Sequence, residues 1–515
     1  MPRGDRFYVT TPIYYVNDAP HLGHAYTTVA CDALARFRRL DGEEVLFTTG
    51  TDEHGQKVEK SALAAGMTPQ AFCDRVSGTF RAMNALLGID THDFVRTTEQ
   101  RHLDCAAEIW RRIAAQGDIF LGKYGFWYSV RDEAPYDESE LVNGKAPTGA
   151  DVEWVEEENY FFRLSAWQDR LLAFYEANPD FIGPQARRNE VVSFVKGGLK
   201  DLSISRTSFN WGIPVPGDDR HIMYVWIEAL SVYLTGAGFP DETSETYRKF
   251  WPCSLHMVGK DIIRFHCVYW PAFLMAAGLD PPRRVFGHGW WTVEGQKMSK
   301  SLGNFITPRA LVDRYGLDSV RYFMLRELPF GADGDFSHRA MVNRINGDLA
   351  NDLGNLAQRV LSMIQRYCGG RVPAPGPLAP ADEALLAGAG GLLDRLRPEF
   401  AVPAYHRALD HIWDVVGQAN RYVDEEAPWA LNKSDPARRD TVLYVLAETI
   451  RHLGIYIQPF MPGSASKILD QLDIPVTKRD FAALTAAPLA AGVELPKPEG
   501  VFPRYVEEEA TDAGR

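Results

Sequence analysis

At 515 residues the chain exceeds what one ordinary hydrophobic core organises, so two to four domains are expected. Hydrophobic residues make up 45% and charged residues 24%, and the longest mostly apolar run, from Val268 to Leu279, holds Pro271 and is too short to span a bilayer, so no membrane partner is expected. A net charge of -13 excludes indiscriminate attraction to nucleic acid, while leaving room for a local groove that binds it.

The N-terminal Met1-Pro2-Arg3-Gly4-Asp5-Arg6 leads almost at once into a strand pattern and lacks the apolar core of a signal peptide, which predicts a cytoplasmic location. Residues 1 to about 115 alternate strand-like and amphipathic helical runs, the pattern of a parallel sheet with crossover helices. The first strand-like run, Phe7-Tyr8-Val9-Thr10-Thr11, gives way through Pro12 and Asn17-Asp18-Ala19-Pro20 to a helix. There Asn17 or Asp18 can cap, Pro20 suits the first turn, and Leu22, Val29, Leu34 and Phe37 supply a buried stripe. From Gly117 to about Trp167 the text changes to short aromatic β-like runs around Asn143-Gly144, which reads as an insertion. The α/β pattern resumes at Ile222-Met223-Tyr224-Val225-Trp226 and Leu255-His256-Met257-Val258-Gly259. From about Asn351 long helical periodicity sets in, interrupted by the Pro/Gly/Ala-rich stretch from Gly370 to Pro380, and the polar, acidic end from about Leu495 is expected to fray. Six cysteines, Cys31, Cys73, Cys105, Cys253, Cys267 and Cys368, show no C-x-x-C spacing; they read as buried small residues of a reducing compartment.

Two segments carry chemistry. Lys297-Met298-Ser299-Lys300-Ser301, followed by Leu302-Gly303-Asn304, sets two ammonium groups and two hydroxyls on a short segment able to close over a polyphosphate, although such a run is also what a solvated loop looks like. Far upstream, His21-Leu22-Gly23-His24 opens the first helix; the two histidines share a face at its positive end, where phosphate is favoured, and Gly23 leaves a nucleotide room to approach. A metal pair or two surface histidines are the other readings, and no third ligand stands at zincin spacing. Gly50 to Gly55 matches the glycine spacing of a phosphate loop, yet Gln56 and Lys57 occupy the positions of its Lys and Ser/Thr, which argues against that motif.

Together and in this order, the two segments resemble the HIGH and KMSKS signatures of class I aminoacyl-tRNA synthetases, with Leu22 in place of Ile. The flanking Thr11-Pro12-Ile13-Tyr14-Tyr15-Val16-Asn17 and Thr49-Gly50-Thr51-Asp52-Glu53-His54-Gly55 are similar to the methionyl-tRNA synthetases, and the resemblance covers nearly the whole chain. It implies an α/β fold: a doubly wound parallel, Rossmann-type catalytic domain with a β-containing insertion, then an all-α helical-bundle anticodon-binding domain. The implied boundaries are 1-116 and 196-300 for the two catalytic halves, 117-195 for the insertion, 301-350 for the loop and connecting region, and 351-515 for the helical domain with its tail.

The implied activity is ligation of L-methionine to initiator and elongator tRNA(Met), using ATP and Mg2+, by a monomer, since the chain ends without the C-terminal domain through which some members dimerise. His21, His24, Lys297 and Lys300 would stabilise the phosphoryl transfer; Gly23, Arg206, Asp261, His288, Gly289 and Lys300 would contact ATP. Arg206 and Asp261 also fit a surface ion pair. Ile13, Tyr15, Trp226, Ala229, Leu230, Tyr233, Ile262, His266 and Trp270 match the thioether pocket, with Asp52 for the substrate ammonium. Helical stripes at such spacing also suit a plain core. Asn355, Arg359, Pro428 and Trp429 match anticodon-reading positions, though a Trp in a bundle is equally a core residue. The insertion lacks the C-x-x-C knuckles of many members, so no structural zinc is expected. A class I synthetase for another apolar amino acid and a non-enzymatic RNA-binding protein are the alternatives.

Overall fold

The structure, a computed structural model of the chain, describes residues 5–17, 19–132, 134–293, 296–297 and 306–507. It separates into two compact units, one of Arg6–Cys31 with Val45–Gly289, the other of Met1–Asp5, Asp32–Glu44 and Trp290–Arg515.

The first unit is built on a seven-stranded sheet. Its order is Tyr14–Tyr15, Glu44–Asp52, Arg6–Thr10, Leu255–Gly259, Val285–His288 and Ile182–Gly183, with Asp93–Arg96 also pairing Glu44–Asp52. Parallel ladders join Arg6–Thr10 to Leu255–Gly259, and that strand to Val285–His288. Every residue of Glu44–Asp52 after the first is buried, whereas a half-exposed strand would alternate, so both faces of the sheet are covered. The chain adds strands to one side of Arg6–Thr10 and later returns to its other side, which creates a crevice at the carboxyl ends where ligands of such sheets bind.

The insertion is a four-stranded antiparallel sheet ordered Ala134–Tyr136, Ile119–Ser129, Glu153–Phe162 and Leu202–Ser203. Residues 222–226 differ from the sequence expectation. Asp218–Met223 belongs to a small antiparallel sheet with Ser205–Arg206 and Pro214–Val215, and Val225 already opens the helix Val225–Ala237 behind an extended Tyr224. Five apolar residues in a row cannot reveal that a strand ends and a helix begins among them.

The second unit holds a three-stranded sheet, Gln296–Lys297, Trp291–Val293 and Gly334–Phe336, and a set of helices. In Tyr405–Glu426 the buried Tyr405, Ala408, Leu409, Ile412, Val415, Val416, Ala419, Tyr422 and Val423 trace a stripe of helical period. Asp435 caps Pro436–Tyr456 by accepting from the Arg438 N–H, with Pro436 at the first helical position. The end of the chain is better held than its composition suggests. Leu495 and Val501 are buried, and Asn346 exchanges two hydrogen bonds with the Tyr505 backbone, at 2.8 and 3.1 Å. A few anchoring side chains outweigh the polar average; residues 508–515 lie outside the described residues.

Arg321 is fully buried in this unit. It donates to Asp32 Oδ2 at 2.6 Å and to the Pro459 and Phe460 carbonyls at 3.0 Å. Replacing Arg321 with Met is expected to lower the unfolding free energy by about 3–5 kcal/mol, because the buried Asp32 carboxylate loses one of its two arginine partners, Arg36 remaining at 2.7 Å, and the Pro459 and Phe460 carbonyls lose their donor. A urea midpoint that does not move would show that packing alone carries this junction.

Candidate active site

The helix Leu22–Leu40 begins at the carboxyl end of the sheet, and its first turn binds two imidazoles. His21, just before the helix, accepts from the Gly23 N–H at Nδ1 (3.0 Å), while the His21 N–H donates to His24 Nδ1 (3.2 Å). With both Nδ1 atoms acting as acceptors, each ring carries its proton on Nε2. The rings stack with centroids 3.8 Å apart. Burial, then the neighbouring His21, holds the His24 pKa well below its ordinary value, so His24 is a neutral donor. Gly23 serves a purpose the sequence did not reveal: a Cβ there would stand 2.9 Å from His21 Cε1, so its absence seats the His21 ring.

This turn is fastened to two strands of the sheet. The Tyr14 hydroxyl meets Thr28 Oγ1 at 2.6 Å, and its ring packs edge-on to His24. Thr27 Oγ1 lies 2.7 Å from His288 Nε2, and His288 Nδ1 donates to the Gly289 carbonyl at 2.8 Å. Burial lowers the His288 pKa, so the neutral ring accepts from Thr27 and its two nitrogens are both engaged inside the protein. His288 and Gly289 therefore form a fixed floor at the end of Val285–His288.

Beside this turn a cavity of about 700 Å³ opens in the same unit. Ile13, Tyr15, Asp52, Trp226, Ala229, Leu230, Tyr233, Ile262 and His266 all line it. Trp226 stacks on Phe265 at 3.6 Å. The Tyr233 hydroxyl donates to His266 Nε2 at 2.6 Å, and His266 Nδ1 donates to the Ile262 carbonyl at 2.9 Å. Burial, only partly offset by that carbonyl, lowers the His266 pKa to about 4, and burial raises that of Tyr233 well above its usual value, so both are neutral at pH 7. Tyr233, His266 and the Ile262 carbonyl thus satisfy one another in the wall. Asp52, Asp132 and Asp261 line the cavity and, among the described residues, no Lys or Arg does, a charge pattern suited to an ammonium group.

Trp270 stands apart from the other expected residues. It is fully buried behind the wall and donates from Nε1 to His256 at 3.3 Å. Phe265–Tyr269 is wound as a π-helix, whose wider turn breaks the spacing from which Trp270 was expected on the face of Ile262 and His266. Arg206 is not a surface ion pair. Its guanidinium is buried 3.8 Å from the Tyr224 ring centroid and 5.2 Å from that of Phe126, and it donates to Ser203 Oγ and the Ser205 carbonyl. Asp261 is exposed at the cavity rim, and Gly259 lets its Oδ1 approach to where a Cβ would be 2.5 Å away. Sequence reasoning missed Asp132, Tyr136 and Thr148 of the insertion, which line the cavity as well. Tyr136 donates to Asp132 Oδ2 at 3.2 Å, and the Thr148 hydroxyl donates to the same oxygen. The hydroxyl- and acid-bearing text around Asp132 was a signal, but spacing does not tell which way a loop points.

In the other unit the Lys297 backbone pairs with Thr292; Lys300 and the rest of that segment lie outside the described residues. Asn355 is exposed and Arg359 follows it on the helix Asn355–Tyr367. Arg359 donates to Asp424 at 2.8 Å and its guanidinium lies 5.8 Å from the Trp429 ring centroid. Trp429 is 44% exposed, on a helix that starts at the buried Pro428, so it is not a core residue. Among the described residues no group of three or more His, Cys, Asp or Glu side chains could hold a metal ion.

A family model described as tRNA synthetases class I (M) matches residues 7–153 and 134–361, and one for the anticodon binding domain of methionyl tRNA ligase matches residues 372–514. The methionine-tRNA ligase of Mesorhizobium japonicum is 56% identical over 515 residues, covering 99% of this chain and 99% of that protein. That of Brucella suis is 56% identical over 508 residues, with 98% of each covered. The solved structure of Mycobacterium tuberculosis methionyl-tRNA synthetase in complex with methionyl-adenylate is 56% identical, with a TM-score of 0.95 over 97% of this chain and 100% of that one. Its apo form gives 0.89 at 52% identity, over 98% and 99%. With helix-borne histidines, apolar cavity and helical C-terminal domain all in one chain and matched along its length, the protein belongs to the methionyl-tRNA synthetases of class I.

Proposed function

We infer that the chain activates L-methionine with ATP, forming methionyl-adenylate and pyrophosphate, and then transfers methionine to the 3'-terminal adenosine of tRNA(Met). The observation that carries this reading is the pairing of two Nε2–H histidines at a helix start with a largely apolar cavity in which Tyr233 and His266 are hydrogen-bonded to each other. In activation the methionine carboxylate attacks the α-phosphate and charge grows on its oxygens, so fixed donors at that point lower the barrier. His21 and His24 supply such donors, and Lys297 and Lys300 neutralise the departing pyrophosphate. Arg206, Asp261, Gly23, His288 and Gly289 shape the nucleotide side.

The thioether lies against Ile13, Trp226, Leu230, Tyr233 and His266, where selection works through shape and dispersion, and Asp52 takes the ammonium. Mg2+ would accompany the ATP and supply positive charge to its phosphates. Trp429, Arg359 and Asn355 read the anticodon common to initiator and elongator tRNA(Met). The insertion, expected over 117-195 between catalytic halves 1-116 and 196-300, has a less simple end: Ile182–Gly183 already pairs in the catalytic sheet and Leu202–Ser203 still pairs in the insertion sheet; it packs without zinc, and 351-515 carries the tRNA-reading face. Six free thiols suit a cytoplasmic enzyme.

Three outcomes test this. Lys300→Ala should slow methionine-dependent ATP–pyrophosphate exchange with little change in methionine KM, by an effect of about 2–4 kcal/mol on the barrier, the size of one lost electrostatic donor; unaltered exchange would remove Lys300 from the mechanism. Trp429→Ala should spare exchange yet reduce charging of tRNA roughly 5- to 150-fold, since one stacked base is worth ~1–3 kcal/mol. Equal losses in both assays would instead mark Trp429 as a residue of the fold.

The third concerns pH. Unfolded His266 takes up a proton below about pH 6.5, whereas the folded residue resists protonation until about pH 4. The folded state therefore binds fewer protons in that window, and stability falls as the pH drops through it, while above the window the contribution is constant. His24 and His288 act in the same direction. The urea midpoint should decline between pH 6.5 and 4.5, less steeply in His266→Gln; a variant profile identical to wild type would clear His266 of the effect.

A further inference from the structure

Glu228 is a carboxylate with no exposed surface that the activation chemistry does not use. It sits on the helix Val225–Ala237, whose Trp226, Ala229 and Leu230 face the methionine cavity, but it does not line the cavity itself. Its Oε2 accepts from His102 Nε2 at 3.3 Å, and His102 Nδ1 accepts from the Thr235 hydroxyl at 3.0 Å on that same helix. Its Oε1 stands 3.3 Å from His54 Nδ1, a contact without hydrogen-bond alignment. Burial alone would raise the Glu228 pKa, but His54 and His102 more than offset it and keep the carboxyl below its usual value.

His54 belongs to a run whose three side chains go separate ways. Asp52 lines the cavity; Glu53 receives Arg96 at 2.7 and 2.9 Å and the Thr98 hydroxyl at 2.6 Å; His54 reaches Glu228. Trp211 clasps the same run, donating to the Glu53 carbonyl at 2.6 Å and accepting the Gly55 N–H at 3.1 Å. The cavity's carboxylate and its apolar wall thus arise on different elements, and their separation has to be set by whatever joins those elements.

We propose that Glu228 is a positioning residue for methionine: through His54 it fixes Asp52 relative to the Trp226–Ala229–Leu230 wall, and through His102 it anchors that geometry to the core. The proposal rests on the methionine reading of the cavity. Ammonium and thioether must be met at once by groups a fixed distance apart, and small misplacements of such groups weaken binding strongly.

The test is ATP–pyrophosphate exchange with Glu228→Gln, His54→Gln and the double variant. Each single change should raise the methionine KM roughly ten- to a hundredfold, the scale on which supporting residues act, with the ATP KM within about twofold of wild type; the double variant should be no worse than either single, as expected for two residues acting as one unit. Should Glu228→Gln fail to fold, His54→Gln alone gives the same reading from the other side of the contact. An unchanged methionine KM accompanied by a lower melting temperature would make the group merely structural, and additive effects would break the link between Glu228 and His54. A wild-type protein without methionine-dependent exchange would sink the activity reading, whereas normal exchange with unmoved variants sinks this proposal alone.

Discussion

The start of the helix Leu22–Leu40 commits backbone N–H groups to imidazole nitrogens, and the arrangement of the site follows from that choice. A bare helix start offers its amides directly to an anion. Here Nδ1 of His21 and of His24 takes those amides, and the donor capacity reappears several ångströms further out at Nε2, on rings that cannot swing because they stack on one another. The rings hold only if the turn holds. Tyr14 and Thr27 tie it to two different strands, the second by way of His288. Small changes in the sheet would therefore be felt at the two Nε2 donors, which the scaffold holds rigidly.

The cavity obeys a complementary constraint. A pocket for a thioether cannot rely on strong hydrogen bonds to its ligand, and any dangling donor in it would favour a polar competitor. Tyr233, His266 and the Ile262 carbonyl form a closed chain of donors and acceptors. A ligand hydroxyl buried there finds its partners already occupied, at a penalty of about 1–3 kcal/mol for an unmet polar group. Asp52, Asp132 and Asp261 line the same space and give it a negative character at odds with its apolar wall.

Much of this was legible in the residues. Continuous burial of the Glu44–Asp52 strand and the helical stripe of Tyr405–Glu426 are written as runs and periods that local physics converts directly into elements. The histidine pair and most of the thioether wall were likewise readable, because they sit in fixed spacing on helices. What spacing could not convey was direction across elements. Asp132 and Thr148 come from loops, Trp270 is turned away by a change of helical type, and the aromatic cage around Arg206 assembles from strands far apart in sequence. Gly23 was read as room for a nucleotide, although the tightest constraint on it is the ring two residues before. The tail to residue 507 was misjudged because polar composition hides a few well-placed anchors.

The π-wound turn Phe265–Tyr269 has a consequence of a different kind. Its carbonyl-to-amide bond from Phe265 to Trp270 skips one residue more than an α-helix would, so the segment carries the equivalent of a single inserted residue. Substitutions can be absorbed there while the winding is kept. A one-residue deletion there would remove the wide turn and let ordinary α-helical winding resume, with the helix after it keeping its orientation. What such a deletion would lose is the wide turn that now carries His266 and Tyr269 into the cavity wall, so the extra residue is spent on the wall and not on the helix beyond it.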